Sequence, residues 1–245
     1  MPHAPCPMTA MLSPLLGWLA PVPPCEMSTF FYQHIPHGRH LSTTVTCELR
    51  VQPGHVAEII QRATEQLSVP SHSVVGRRHA RLYQHFDDPH RLLYVGEWES
   101  RNAFETYRAN APLPGRPDQF VELPTIRYYR RLALFEHVLT PFDLVYVDHV
   151  EGAPGTHASR RDLALGYHRQ AARGHRGLAL LMTTERLDGP QDLLIVSGWR
   201  QHPSASPVER APDQTLFEQL RGSGGMVNRF IGRPLLETPG LSALN

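Results

Sequence analysis

The run Asp87-Asp88-Pro89-His90-Arg91-Leu92-Leu93-Tyr94-Val95-Gly96-Glu97-Trp98 returns later in the chain as Asp188-Gly189-Pro190-Gln191-Asp192-Leu193-Leu194-Ile195-Val196-Ser197-Gly198-Trp199. The first Asp, the Pro, both Leu, the Val and the Trp coincide without a gap. Each run is a turn of Asp and Pro followed by an apolar strand that ends on Trp. A gapless match at a fixed offset is the mark of an internal repeat.

Working outward from the first run, Thr44 to Val51 alternates Val45, Cys47, Leu49 and Val51 with Thr44, Thr46, Glu48 and Arg50, which predicts a half-buried strand. Pro53-Gly54 turns the chain. Val56, Ile59, Ile60, Ala63 and Leu67 then recur at helical spacing. Arg78 to Phe86 and Arg91 to Glu99 are expected strands. Ser100 caps a short helix through Tyr107, with Ala103, Phe104 and Tyr107 as its apolar stripe. Ile126 to His137 is a fourth strand. Around the second run the same order is expected: strands at Phe142 to Val150, Gly177 to Leu187, Leu193 to Trp199 and Met226 to Leu236, with helices at Ser159 to Arg173 and Gln214 to Arg221. The segment His202 to Pro212 is an insertion peculiar to the second copy.

Each copy reads βαββαβ, a ferredoxin-like antiparallel sheet with both helices on one face. Such a sheet leaves its other face bare, and a second sheet packed on it is the usual remedy. The fold class expected is α+β: two tandem ferredoxin-like units forming an intramolecular barrel with helices outside. The expected units are residues 28–138 and 139–245. Residues 1–27, crowded with Pro2, Pro5, Pro7, Pro14, Pro21, Pro23 and Pro24, are expected to be a disordered or mis-assigned extension, with Met27 an alternative start.

Composition narrows the function classes. The chain has 245 residues, and its formal charge of +1 gives no basic field for nucleic acid. Met11 to Ala20 is too short to span a bilayer and lacks a preceding basic segment, so no membrane partner is expected. The three cysteines, Cys6, Cys25 and Cys47, have no metal-ligand spacing, which fits a reducing cytoplasm and no metal site. Cys47 falls on the apolar side of its strand, where a small buried hydrophobe is expected. Gly222-Ser223-Gly224-Gly225 is a connection, since no strand precedes it and no Lys follows. His168 sits one residue from the apolar stripe of its helix and is expected to be a solvated or flanking His.

Two groups of side chains could carry chemistry. Tyr94, Gly96 and Trp98 alternate on one side of their strand, and the helix begun by Ser100 can bring Phe104 back over them. An aromatic-walled slot between sheet and helix would result, suited to a flat polycyclic ligand. On the preceding strand His79, Arg81, Tyr83 and His85 share one parity. If that line faces the slot, His79 or His85 is a natural base and Arg81 an anion partner; if it faces solvent, it is a polar edge.

The stretch Glu97-Trp98-Glu99-Ser100-Arg101-Asn102-Ala103-Phe104 resembles the signature of the antibiotic biosynthesis monooxygenase family, part of the dimeric α+β barrel superfamily. The resemblance covers residues 40 to 137 and is weaker over 142 to 237, where Trp199 survives without the Ser and Ala. It implies an oxygenase that uses O₂ on a polycyclic hydroquinone or phenol in antibiotic biosynthesis, without metal or haem. The tandem layout is similar to that of the ring-opening oxygenases of the jadomycin, gilvocarcin and kinamycin pathways, which cleave a carbon–carbon bond of an angucycline. That likeness implies reduced flavin (FADH₂) as electron donor and a flavin reductase as partner, and it leaves room for a homodimer of the tandem chain. Expected catalytic residues are His79, Arg81, His85 and Tyr94, with Tyr83, Trp98, Phe104, Tyr107 and Trp199 against the substrate. Anthrone oxygenases of the family carry Asn and Tyr where this chain has Tyr94 and Phe104, which puts simple anthrone oxidation in doubt. The alternatives are quinone formation by an anthrone- or quinol-type monooxygenase, and a non-catalytic ligand-binding protein on the same fold. The first unit is expected to hold the chemistry, and the insertion of the second to close it as a lid.

Overall fold

In the first unit the alternating residues form β2 (Thr43–Arg50), which pairs antiparallel with β4 (Arg91–Trp98) on one side and β5 (Thr125–Glu136) on the other. β3 (Arg77–His85) takes the other edge of β4. Helices α1 (Val56–Ser68) and α2 (Arg101–Asn110) cross between them, and a short strand, β1 (Phe31–Gln33), continues the line of β2 along β5. The hydroxyl of Ser100 accepts from the Ala103 amide at 3.1 Å, capping α2 where the sequence places its start. The structure, a computed structural model, describes residues 31–33, 42–111, 113–136, 141–174, 177–189, 192–200 and 214–237. Expectations for residues 1–27 and for the insertion at 202–212 lie outside the described residues.

The second unit repeats this. β6 (Leu144–Gly152), α3 (His157–Gly174), β7 (Leu178–Arg186), β8 (Leu193–Trp199), α4 (Gln214–Gly222) and β9 (Gly225–Glu237) follow in the same order. The strands lie side by side as β5-β2-β4-β3-β9-β6-β8-β7, and β7 pairs back onto β5. Eight strands thus close into a barrel, joined twice by the same kind of seam between a second strand and a fourth. Even the irregularities repeat: a bulge between Arg77 and His79 on β3 recurs between Leu178 and Leu180 on β7, opposite Trp98 and Trp199.

Closure gives every sheet two buried faces. Inside, Tyr83, Leu93, Val95, Tyr129, Val145, Val147, Leu180, Met182, Leu194, Val196 and Phe230 fill the barrel, as an eight-stranded barrel allows. Outside, Cys47, Leu49, Ala80, Leu82 and Leu92 pack under Ile59, Ala63 and Leu67 of α1, and Val45, Trp98 and Tyr128 pack with Phe104 of α2. The counterpart under α3 and α4 is larger and includes Tyr146, Tyr167, Trp199, Phe217 and Leu220. Among the described residues no helix is long and apolar enough to cross a membrane.

Candidate functional site

A cavity opens between the outer face of the first sheet and its two helices. Cys47 and Leu49 of β2, Leu82 of β3 and Tyr94 of β4 form its floor. Ala63, Gln66 and Leu67 of α1 form one wall; Phe104, Tyr107 and Arg108 of α2 and the following Ala111, Leu113 and Pro114 form the other. This is the slot expected from Tyr94 and Phe104. Its free volume is about 60 Å³, well under the few hundred Å³ of an ordinary small-molecule site. A polycyclic guest therefore requires the rim of α2 and its following loop to part.

The floor is held by an unusual contact. Gly96 lies two residues beyond Tyr94 on the same face, and a Cβ there would stand 2.1 Å from the Tyr94 hydroxyl. Only the missing side chain lets the tyrosine ring lie down along the strand. Lying down, its hydroxyl accepts from the Trp98 indole at 3.2 Å. Trp98 is fully buried and stays behind the wall, edge-to-face with Phe104 at 5.3 Å and tilted against Tyr107 at 5.1 Å. It thus positions three rings and does not itself border the cavity.

The polar line on β3 is elsewhere. Ala80 and Leu82 pack beneath α1, so the opposite parity (His79, Arg81, Tyr83 and His85) turns to the barrel side of the sheet. Neither of the two alternatives open from the sequence, the slot or solvent, holds for this line, and the catalytic roles expected of His79, Arg81 and His85 in the slot are corrected. Tyr83 is core inside the barrel, Arg81 pairs with Glu136 at 2.5 Å and lies over the Phe142 ring, and His85 packs on Phe230 while accepting from the Asp87 and Asp88 amides. Burial, with Arg81 and Arg77 beside it, lowers the His79 pKa to about 3. Trp199, also expected at the substrate, packs under the helices of the second unit, away from the slot. Of the nine residues expected, Tyr94, Phe104 and Tyr107 line it.

Two cations were not foreseen in the sequence. Arg108 borders the slot at its mouth. Arg77, turned outward by the β3 bulge, is buried behind Tyr94 and Tyr107 and donates to the carbonyls of Gln66 and Val69 near the end of α1. Its Nε is buried with no hydrogen-bond partner among the described residues. The slot's own titratable groups are held far from neutrality. Burial pushes the Cys47 thiol up to about 12, against a smaller pull from Arg108. Burial also raises the hydroxyls of Tyr94 and Tyr107, with Arg77 drawing both down. None of these is a base at neutral pH.

The equivalent rung of the second unit is filled. Across the first sheet Ile126, Cys47, Tyr94 and Leu82 stand in register; across the second the same places hold Arg229, Asp148, Ile195 and Thr183. Arg229 Nε donates to Asp148 at 2.6 Å and its guanidinium lies over the rings of Tyr146 and Phe217. Thr183 is 3.1 Å from His168 Nδ1. Of the two alternatives for His168, solvated or flanking, the first does not hold: it is fully buried, and β7 offers it a hydroxyl beneath the helix.

Residues 42–113 match the model of the family described as antibiotic biosynthesis monooxygenase. The match falls within the first unit. The slot lies wholly within the matched residues except for its rim residue Pro114. No curated protein matches the chain. Among solved structures, an anthrone oxidase-like protein is similar at TM-score 0.62 and 11% identity, covering 81% of this chain and 93% of its own. A candidate monooxygenase of Fusobacterium nucleatum is similar at 0.64 and 12%, covering 83% and 98%, and one of Lactobacillus acidophilus at 0.58 and 10%, covering 81% and 94%. These likenesses concern the fold. They span both units, so single chains elsewhere share the tandem barrel.

Proposed function

We propose that the chain is an oxygenase of aromatic polyketide tailoring, acting on a polycyclic hydroquinone or phenol in the slot of the first unit. The observation that carries this is the slot itself: an aromatic and apolar cleft within the residues that match the monooxygenase family, whose counterpart in the second unit is taken up by Arg229, Asp148 and His168. A flat ring system placed there would lie against Tyr94, Phe104 and Tyr107. Those rings and the alkyl floor exclude water and orient it for attack by O₂. An electron-rich anion reduces O₂ directly, so the protein's part is to hold and stabilise that anion.

The tandem layout extends the proposal to opening of a carbon–carbon bond in an angucycline, with quinone formation the simpler outcome on the same site. The electrons then come from the reduced ring. In this proposal reduced flavin returns the quinone to its hydroquinone outside the slot and is regenerated by a separate reductase. Localisation in the cytoplasm, where such a reductase works, belongs to the same proposal.

The test is incubation with reduced polycyclic quinones under ¹⁸O₂ with a flavin-reducing system. Incorporation of label is expected, and Ala111→Trp, which closes the mouth from an edge position, should abolish it. A folded protein that gives no labelled product with several angucyclinones would overturn the reading.

A further inference from the structure

Resting on that reading, we infer that the slot selects an acidic aromatic substrate in its deprotonated form, with Arg108 as the residue that contacts the anion. The inference begins from what lines the cavity. Its titratable members are Cys47, Tyr94, Tyr107 and Arg108, and no carboxylate or histidine is among them. A site that must generate a phenolate usually offers a base poised near neutrality; the histidines of β3 that would serve stand on the far face of the sheet. What the slot offers is positive charge. Arg108 stands at the mouth, and its charge reaches the Cys47 sulfur on the floor. Arg77 stands behind Tyr94 and Tyr107 with carbonyl partners and a buried Nε unpaired among the described residues. A cation held by carbonyls keeps its full charge, and in a poorly hydrated site its field extends over several ångströms.

Arg108 is also loosely held. Its ion-pair partner, Glu105, is 3.7 Å away, and the same carboxylate accepts from the Tyr128 hydroxyl. The guanidinium can therefore turn to a guest at small cost, since exposed pairs of this kind are weak. A planar fork of donors suits a phenolate flanked by a carbonyl, the arrangement at the edge of a hydroxyquinone. The two arginines lower the substrate's own pKa, so ionisation needs no protein base, and its proton leaves to solvent through the open mouth. Arg77 acts as a positioning residue through the two tyrosines; Arg108 meets the substrate.

The probe is 1,2-dihydroxyanthraquinone, a flat tricyclic phenol whose visible spectrum reports its ionisation, titrated from pH 9 downward in the presence of the full chain over the range in which circular dichroism shows the chain folded. The bound dye should ionise about tenfold more readily than the free dye, roughly one pH unit lower. Arg108→Gln should remove most of that shift, Arg108→Lys should keep part of it, and unsubstituted 9,10-anthraquinone should bind all three proteins alike. A bound dye that ionises no more easily than the free one, or a shift untouched by Arg108→Gln, overturns the inference while leaving the slot in place. If neither dye binds and Ala111→Trp changes nothing, the slot reading itself fails.

Discussion

The Trp98 indole donates to the Tyr94 hydroxyl at 3.2 Å, four residues apart on one strand, and it can do so only because Gly96 between them has no side chain. In the second unit the same places hold Ile195, Ser197 and Trp199, and no such bond can form. Gly96→Ala would put a methyl group 2.1 Å from the Tyr94 hydroxyl. The ring must swing up into the slot, costing about 1–3 kcal/mol of stability and blocking ligand entry. Tyr94→Phe removes the acceptor and leaves the buried indole N–H unsatisfied, at about 1–3 kcal/mol. Ligand binding should survive Tyr94→Phe and be lost in Gly96→Ala. Thermal unfolding and dye titration of the two proteins check this, and equal binding by both would contradict it.

Much of this fold is legible in the chain, for a local reason. The turn at Asp87-Asp88-Pro89, the alternation of β2 and the Ser100 cap are all short-range signals, and the expected strands and helices appear within about three residues of their expected places, whereas β1 had no such signal. The slot followed from Tyr94 and Phe104 by parity alone. The side to which β3 presents its polar line was not legible. In a closed barrel β3 is buried on both faces, so alternation does not say which parity meets the helices, and the bulge at Arg77 reverses parity at the start of the strand. The Asp148–Arg229 pair joins residues 81 apart, and nothing local to either announces the other. His168 looked solvated or flanking because its partner Thr183 lies on a different element.

Acid should unfold this protein through its buried imidazoles. Burial lowers His79 to about 3, and His149 and His168 to about 4. Below the ordinary histidine value near 6.5 the unfolded chain binds protons that the folded one refuses. The stability these groups contribute is therefore complete above about pH 6.5 and is lost as pH falls toward 4. Asp148 runs the other way: burial raises it to about 6 against the pull of Arg229, so its contribution grows as pH falls from 6 to 4. Three groups against one leave a net loss. Circular dichroism should show cooperative unfolding in this window, and His79→Gln should move its midpoint down by roughly half a pH unit. A midpoint that does not move would show that His79 is not among the titrating groups.

Asp148 and Arg229 take the places that Cys47 and Ile126 hold in the open unit. Removing one partner of such a pair strands the other, and Asp148→Ala should cost about 3 kcal/mol or more. Replacing both with apolar residues, as in Asp148→Leu with Arg229→Met, should recover much of that loss, because neither charge is then left buried. Denaturant unfolding of the two single variants and the double gives the coupling directly. Additive losses would mean that the charges are separately solvated and do not plug the second unit.

His85 and Tyr107 lie on opposite faces of the first sheet and so separate the slot from the barrel. His85 meets Phe230 and the Asp87-Asp88 turn, whereas Tyr107 borders the slot and is tilted against Trp98. His85→Ala should cost about 1 kcal/mol through the lost turn hydrogen bonds and leave slot binding within twofold. Tyr107→Ala should weaken binding of a flat aromatic probe by about tenfold, corresponding to one lost ring contact of roughly 1.4 kcal/mol. Arg81 is a poorer control, because its pair with Glu136 ties β3 to β5 and its loss would disturb the barrel itself. Calorimetric titration of the two alanine variants with the same probe decides between the faces. If His85→Ala loses binding while Tyr107→Ala keeps it, the ligand enters the barrel and the slot is only a packing defect under α2.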